Sequence, residues 1–469
     1  MNHNGRQHGA ASRIGLVAIG LGASTSALDT SVNVAFPAIV AAFGMPLTAV
    51  QWVAIAFVLT YSSLLLAFGK LGDRLGHVRI FRLGLAVAAA AFTVLPFTAT
   101  YGQFLCARIL QGVGAALVMS CAPALTAAFY PPAERVRAVA AYTFMFGLGI
   151  AAGPVLGGLL LEAFGWSGVF WFRAPIALLA LLLTALQQMP AQLMDTHDHG
   201  FDLVGAAYLS LTVAAGLLAF SLLQYVGDNA WAPPVLALVA IVAGWAYRGR
   251  AAAHGDPILR LDLFRERRFA VINVVNVFVN FTGFAAFLIV PFYLFGVARL
   301  TATQAGMLLA MGPVGNLLGS PAGAALVRRV GQWPSCFIGL SIAIVGLLMN
   351  TLWDPKAVYP LIAATFLVQG IGFGVFQVAY MDQVMAGLPI TQRGVAGSLA
   401  FVTRTFGTIV GASSVSVLFA VLGGTGRGGG AAAADEFMFA FHTLYLLLAS
   451  GLLALMILTA LLGRSSPTR

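Results

Sequence analysis

Apolar runs of roughly 20 residues, the length that crosses the hydrocarbon core of a bilayer, recur along the whole chain, as at 50–68, 203–223 and 271–295. Core helices of soluble domains are usually shorter, so the recurrence predicts an all-α integral membrane protein. Composition agrees: 60% of the residues are hydrophobic and 9% are charged, where a soluble domain carries about 25% charged residues. The first run, at 14–43, follows Arg6 and Arg13 as a signal peptide would. It outlasts the roughly 7–15-residue apolar stretch of such a peptide and is read as a retained span. A net charge of +10 does not point to nucleic acid, because the basic residues lie between the runs and form no single patch. Cys106, Cys121 and Cys336 sit in or beside apolar runs with no metal or disulfide spacing.

Hydropathy windows place six spans between residues 14 and 186, two between 203 and 247 and six between 271 and 462. The expected organisation is therefore an N-terminal six-helix half over 1–190, two inserted helices and a surface segment over 191–268, and a C-terminal six-helix half over 269–469. With the N-terminus inside, Lys70, Arg74, Arg79, Arg82, Arg135, Arg137, Arg328, Arg329 and most other basic residues are cytoplasmic. Arg299, Lys356 and Arg427 fall outside. This asymmetry follows the positive-inside rule and predicts a multi-pass protein of the inner membrane with both termini in the cytoplasm. Leu259, Leu261, Leu263 and Phe264 alternate with Arg260, Asp262 and Arg265, as in a segment lying on the inner surface. The Gly/Ala-rich stretch 423–434 is expected to be an external loop.

The two outer blocks match each other locally at a shift of about 255 to 258 residues, which suggests duplication. Leu110-Gln111-Gly112-Val113-Gly114 parallels Val368-Gln369-Gly370-Ile371-Gly372, and Gly149 and Gly153 parallel Gly407 and Gly411. Asp73-Arg74-Leu75-Gly76 parallels Arg328-Arg329-Val330-Gly331. Paired six-span halves suit a transporter that rocks one half against the other.

Gly69-Lys70-Leu71-Gly72-Asp73-Arg74-Leu75-Gly76-His77-Val78-Arg79 resembles the signature loop of the major facilitator superfamily. Its glycines permit a tight turn, and Asp73 is placed to pair with Arg79 or a neighbouring helix end. Three further stretches look like those of the fourteen-span drug:proton antiporters: Leu28-Asp29-Thr30-Ser31-Val32-Asn33-Val34-Ala35-Phe36-Pro37 in span one, Arg108-Ile109-Leu110-Gln111-Gly112 in span four, and Gly149-Ile150-Ala151-Ala152-Gly153-Pro154-Val155-Leu156-Gly157-Gly158 in span five. The resemblance implies multidrug efflux, a conformational role for Gly69, Asp73, Arg74, Gly76 and Arg79, and an antiporter hinge at Gly149, Gly153, Pro154, Gly157 and Gly158. Glycines spaced by four also serve plain helix packing. The chain departs from the family at Phe172-Arg173-Ala174-Pro175, where Asn usually precedes the proline, and at Ser167, where a basic residue usually follows Trp166. Arg173 is expected to pair with Glu162.

Charges inside spans are costly unless paired or wetted, and so mark function. Asp29, Arg108, Arg173, Asp382 and Arg404 qualify. Proton coupling is assigned to Asp29, with Arg108 competing for its charged form. Asn273, Asn276 and Asn280, at i, i+3 and i+7, share one stripe of span nine. With Gln377, Tyr380 and Asp382 they are expected to line a substrate cavity, interhelical hydrogen bonding being the other reading of the amides. His197-Asp198-His199 lacks the framework of a metal site, and no phosphate loop or nucleophile motif is present. No cofactor, metal or enzymatic activity is therefore expected; the partners are a small-molecule substrate, protons and lipid. Export of drugs or metabolites, import or uniport of a nutrient, and a non-transporting receptor all remain open at this point. If the signature loop acts on conformation and not on the substrate site, Asp73→Ala slows turnover and spares substrate affinity, as initial-rate transport and equilibrium binding on the same preparation will show.

Overall fold

In hydrocarbon every backbone N–H and C=O must find its partner within the chain, so apolar spans fold as helices. The computed structural model describes residues 3–128, 135–186, 203–222, 231–253, 266–386, 393–423 and 431–463. Among these residues the structure is helical throughout, with no β-strand. The first block holds α1 (His3–Ala27), α2 (Ser31–Ala42), α3 (Val50–Leu75), α4 (His77–Val94), α5 (Tyr101–Ala128), α6 (Arg135–Trp171) and α7 (Arg173–Leu186). The middle holds α8 (Leu203–Leu222) and α9 (Ala232–Ala253). Then follow α10 (Arg267–Phe292), α11 (Ala302–Val330), α12 (Gln332–Met349), α13 (Tyr359–Ala386), α14 (Arg393–Val421) and α15 (Ala431–Gly463). The alternation at 259–264 and the His197-Asp198-His199 group lie outside the described residues, as does most of the loop at 423–434.

Eleven stretches of the described residues are long and apolar enough to cross a membrane, against fourteen expected spans. Two differences have a visible cause. The expected first span is broken by a 3-10 turn at Leu28–Thr30, which leaves α2 with only 12 residues; α11 is diluted by Pro313, Pro321 and a run of glycines. Ala141–Leu186, by contrast, is a single 46-residue stretch, about 69 Å of helix at 1.5 Å per residue and so enough for two crossings. Gly165 interrupts it at φ +71°, a left-handed conformation open to glycine.

The chain divides into two compact units, one of Met1–Gly44, Trp52–Gly216 and Leu238–His254, the other of Met45–Gln51, Leu217–Ala237 and Gly255–Arg469. In the first, Ile19, Ala23, Phe81, Leu85, Leu117 and Val118 form a buried core. The glycines of the repeated motif decide how closely the helices approach. A Cβ on Gly112 would meet Thr60 and the Phe57 carbonyl of α3, and one on Gly114 would meet the Ala88 backbone of α4. The second unit repeats the arrangement: Gly370 lies against the Gly312 carbonyl of α11 and Gly372 against Ala343 of α12. Gly76 and Gly331 correspond too, turning the chain at φ +91° and +90° between α3 and α4 and between α11 and α12. The duplicated residues thus do duplicated packing work, one backbone seated on another where no side chain fits.

Overpacking such a crossing costs about 1–3 kcal/mol. Gly370→Leu is therefore expected to lower the melting temperature of the detergent-purified protein and its monodisperse yield. Gly102→Ala, at a position with open space around it, is expected to leave both unchanged.

Candidate functional site

The first helix breaks where the sequence places its buried carboxylate. Asp29 lies in the 3-10 turn Leu28–Thr30 between α1 and α2, facing α5 and α7. Arg108 of α5 grips it with two parallel hydrogen bonds, Nη1 to Oδ1 at 2.8 Å and Nη2 to Oδ2 at 3.1 Å. This fork-on-carboxylate geometry is the strong form of the interaction. Gln111, one turn further along α5, donates to Oδ1 at 2.8 Å and accepts from Arg108 Nη1 at 2.7 Å. Arg108 Nε donates to the Val53 carbonyl of α3 at 3.0 Å.

Arg173 is the correction. It opens α7 and pairs with Asp29, Nη1 to Oδ1 at 2.8 Å, instead of with Glu162. Both guanidiniums are buried, and aromatic rings flank them: Phe57 lies 4.8 Å from Arg108, Phe92 4.6 Å from Arg173, and Phe170 lies against both. Sequence reasoning singled out all three charges but not their meeting at one carboxylate. Gln111 was missed as a site residue, although its place between Arg108 and Gly112 in the repeated motif marked it.

The neighbouring residue ties this break to the span-five motif. Pro154 has no N–H, so the Ile150 carbonyl four residues back loses its helical partner. The Thr30 hydroxyl replaces it, donating to Ile150 O at 3.0 Å. Gly149, Gly153 and Gly157 provide the room: a Cβ on them would collide with Ala27, with Thr30 and with the Ser31 backbone. Gly153, Pro154, Gly157 and Gly158 are all buried.

In the signature loop Gly76 makes the turn, and Asp73 pairs across it with His77, Oδ1 to Nε2 at 3.1 Å, not with Arg79. Arg79 and Arg74 are exposed. Gly72 admits the His77 ring and Cys121, which a Cβ would meet at 2.7 and 2.9 Å; a Cβ on Gly69 would only touch Ser120.

In the second unit the amide stripe of α10 meets α13 and α14. Tyr380 donates to Asn273 Oδ1 at 2.9 Å, Asn276 donates to Thr403 Oγ1 at 2.9 Å, and Asn280 donates to Asn276 Oδ1 at 3.1 Å. Asn273, Asn276 and Tyr380 are buried, while Asn280 and Gln377 are half-buried. Asp382 stands apart, accepting from Gln332 at 2.6 Å.

Comparison with known proteins agrees with this architecture. Residues 18–412 match the Major Facilitator Superfamily. The chain is 27% identical to the riboflavin transporter RibZ of Clostridioides difficile, over 86% of this chain and 88% of that one. It is 29% identical to the multidrug efflux pump LfrA of Mycolicibacterium smegmatis, over 87% and 80%. Its fold resembles the crystal structure of a bacterial homologue of the human lysosomal transporter Spinster, with a TM-score of 0.69, 18% identity and coverage of 98% and 99%. A helical membrane chain that matches the family across most of its length, and matches a solved transporter of this fold over nearly all of it, belongs to the Major Facilitator Superfamily: it is a multi-pass membrane transporter and not an enzyme.

Proposed function

We propose that this transporter is a drug:proton antiporter of the fourteen-span kind, exporting small amphipathic or cationic compounds across the cytoplasmic membrane by alternating access. The observation that carries the reading is the coupling of two adjacent residues. Asp29 is held by Arg108 and Arg173, and Thr30 fastens the same turn to the carbonyl that Pro154 frees in α6. A change in the charge of Asp29 loosens its two arginines and shifts the turn. That shift reaches the Gly149–Gly158 segment through one hydrogen bond. Proton uptake at Asp29 from outside and release inward would then drive the hinge.

Further support comes from the multidrug pump among the relatives. For the span count, Ala141–Leu186 is long enough for two spans, and the broken first helix with α11 would bring the number to fourteen. In the second unit Asn273, Asn276, Asn280, Gln377 and Tyr380 would supply neutral hydrogen-bonding groups to amphipathic substrates, with Asp382 attracting cations. The Asp73–His77 pair, with Gly69, Arg74, Gly76 and Arg79, would govern conformational exchange. The riboflavin transporter among the relatives favours a second reading, movement of a small metabolite on the same fold.

Inverted vesicles with an imposed pH gradient separate the two, using a panel of cationic and neutral dyes. Uncoupler-sensitive dye accumulation is expected for the antiporter; its absence together with gradient-independent metabolite flux supports the second reading. In the same assay Asp29→Asn is expected to abolish gradient-driven accumulation while the protein still inserts, because the amide cannot cycle a proton. Retained uphill accumulation would rule out Asp29 as the carrier. Thr30→Val leaves the Ile150 carbonyl without its acceptor role filled, at about 1 kcal/mol. It is expected to slow turnover several-fold, since the hinge carbonyl finds other partners, with substrate affinity unchanged in equilibrium binding.

A further inference from the structure

The groups gathered at the break in the first helix do not balance. Two guanidiniums meet one carboxylate, which leaves one positive charge in excess where its solvation by water is largely lost. Arg108 is fully used: its hydrogen bonds reach Asp29, Gln111 and Val53. Arg173 is not. Its side chain is 0% exposed and it spends Nη1 on Asp29, while Nε and Nη2 are buried without a hydrogen-bond partner. The Phe92 and Phe170 rings at 4.6 and 5.2 Å soften the burial of a cation but offer no acceptor oxygen. At Asp29, Oδ1 already accepts from Arg108, Gln111 and Arg173 at 2.8 Å each, and Oδ2 accepts from Arg108 at 3.1 Å. Buried donors left unpaired on a charged group are among the costliest defects a fold can carry.

We propose that this cluster is an anion-binding site, completed by a carboxylate or similar oxyanion on the transported molecule. An oxyanion supplies both missing items, a negative charge and acceptors for the idle donors of Arg173, in the planar geometry that guanidinium prefers. Of the three charged side chains Asp29 is the most exposed, at 15%, against 1% for Arg108 and 0% for Arg173. A purely cationic ligand would meet net repulsion here. The inference rests on the transport reading and narrows its amphipathic substrates to those bearing an acid group.

The test is equilibrium binding to the full-length protein in detergent, with three probes that share one ring system: 2-naphthoate, its neutral amide 2-naphthamide, and 2-naphthylmethylammonium. Saturable naphthoate binding is expected, at least about tenfold tighter than naphthamide, with the ammonium weakest. Arg173→Gln should weaken naphthoate by at least about tenfold and leave naphthamide unchanged. Arg173→Lys, which keeps the charge but loses the planar donors, should retain only part of the naphthoate affinity, and Asp29→Asn, which removes the internal competitor, should increase it. Equal affinities for the three probes, preference for the ammonium, or no saturable naphthoate binding overturns the proposal. So does unchanged naphthoate affinity in Arg173→Gln, provided its size-exclusion profile matches the parent. Should that variant fail to fold, the three-probe comparison on the parent protein decides alone. Displacement of naphthoate by equimolar phosphatidylglycerol would assign the site to a lipid headgroup and overturn the substrate assignment. Gradient-driven dye transport without naphthoate preference removes this inference and leaves the antiporter reading standing; naphthoate preference without such transport does the reverse.

Discussion

A carboxylate buried in a membrane helix must be matched by charge and by hydrogen bonds, and meeting that demand for Asp29 organises the first unit. Arg108 comes from α5, Arg173 from the start of α7 and Gln111 from one turn beyond Arg108. Bringing all three to one carboxyl group fixes the positions of α5 and α7 around the turn at Leu28–Thr30. The turn itself is a consequence of the same packing, since its own residues include neither glycine nor proline. At that break the Thr30 hydroxyl lies 3.2 Å from the Ala27 carbonyl and, closer at 3.0 Å, reaches the Ile150 carbonyl left open by Pro154. Charge pairing and the proline motif are therefore one construction and not two.

The second unit reproduces the scaffold with different polar contents. Gly370 and Gly372 seat α13 on α11 and α12 as Gly112 and Gly114 seat α5 on α3 and α4, and Gly407 and Gly411 lie against the α10 backbone as Gly149, Gly153 and Gly157 lie against the first span. Where the first unit holds ions, the second holds Asn273, Asn276, Tyr380 and Thr403 in neutral hydrogen bonds. Duplication preserved what close packing requires, which is the absence of side chains at the crossings. It left the polar contents of each unit free to differ.

Legibility from sequence followed the range of the interaction. Spans were readable because bilayer crossing is a property of a local run, and the repeat because glycines at helix crossings leave a local spacing. Asp29, Arg108 and Arg173 stood out individually because a charge in an apolar run is rare. Arg108 was read together with Asp29, but Arg173 was not, since the partner a long arginine side chain reaches is set by the packing of helices distant in sequence; Glu162 was the nearer acid along the chain and the wrong one. Of the two partners expected for Asp73, Arg79 or a neighbouring helix end, the structure supplies the second, His77 at the start of α4. The turn at Gly76 brings His77 over it and leaves Arg79 exposed. Hydropathy windows count fourteen spans, whereas eleven described stretches are long and apolar enough to cross: the first helix is broken at Asp29, α11 is diluted by glycine and proline, and Ala141–Leu186 runs as one stretch.

Retaining the cluster has a cost that stability alone does not explain. A buried ion pair is often no better for a fold than apolar residues of the same volume, and a pair with a surplus guanidinium is worse. Fold maintenance would be served by a neutral residue at 173, where the α7 backbone needs only a small or apolar side chain among Phe92 and Phe170. The chain instead holds a second arginine on a carboxylate that Arg108 already satisfies in both oxygens. On the proposed reading, this electrostatic feature serves less to hold the protein still than to let one in-span carboxylate, and the helix break it sits in, respond to charge arriving beside it.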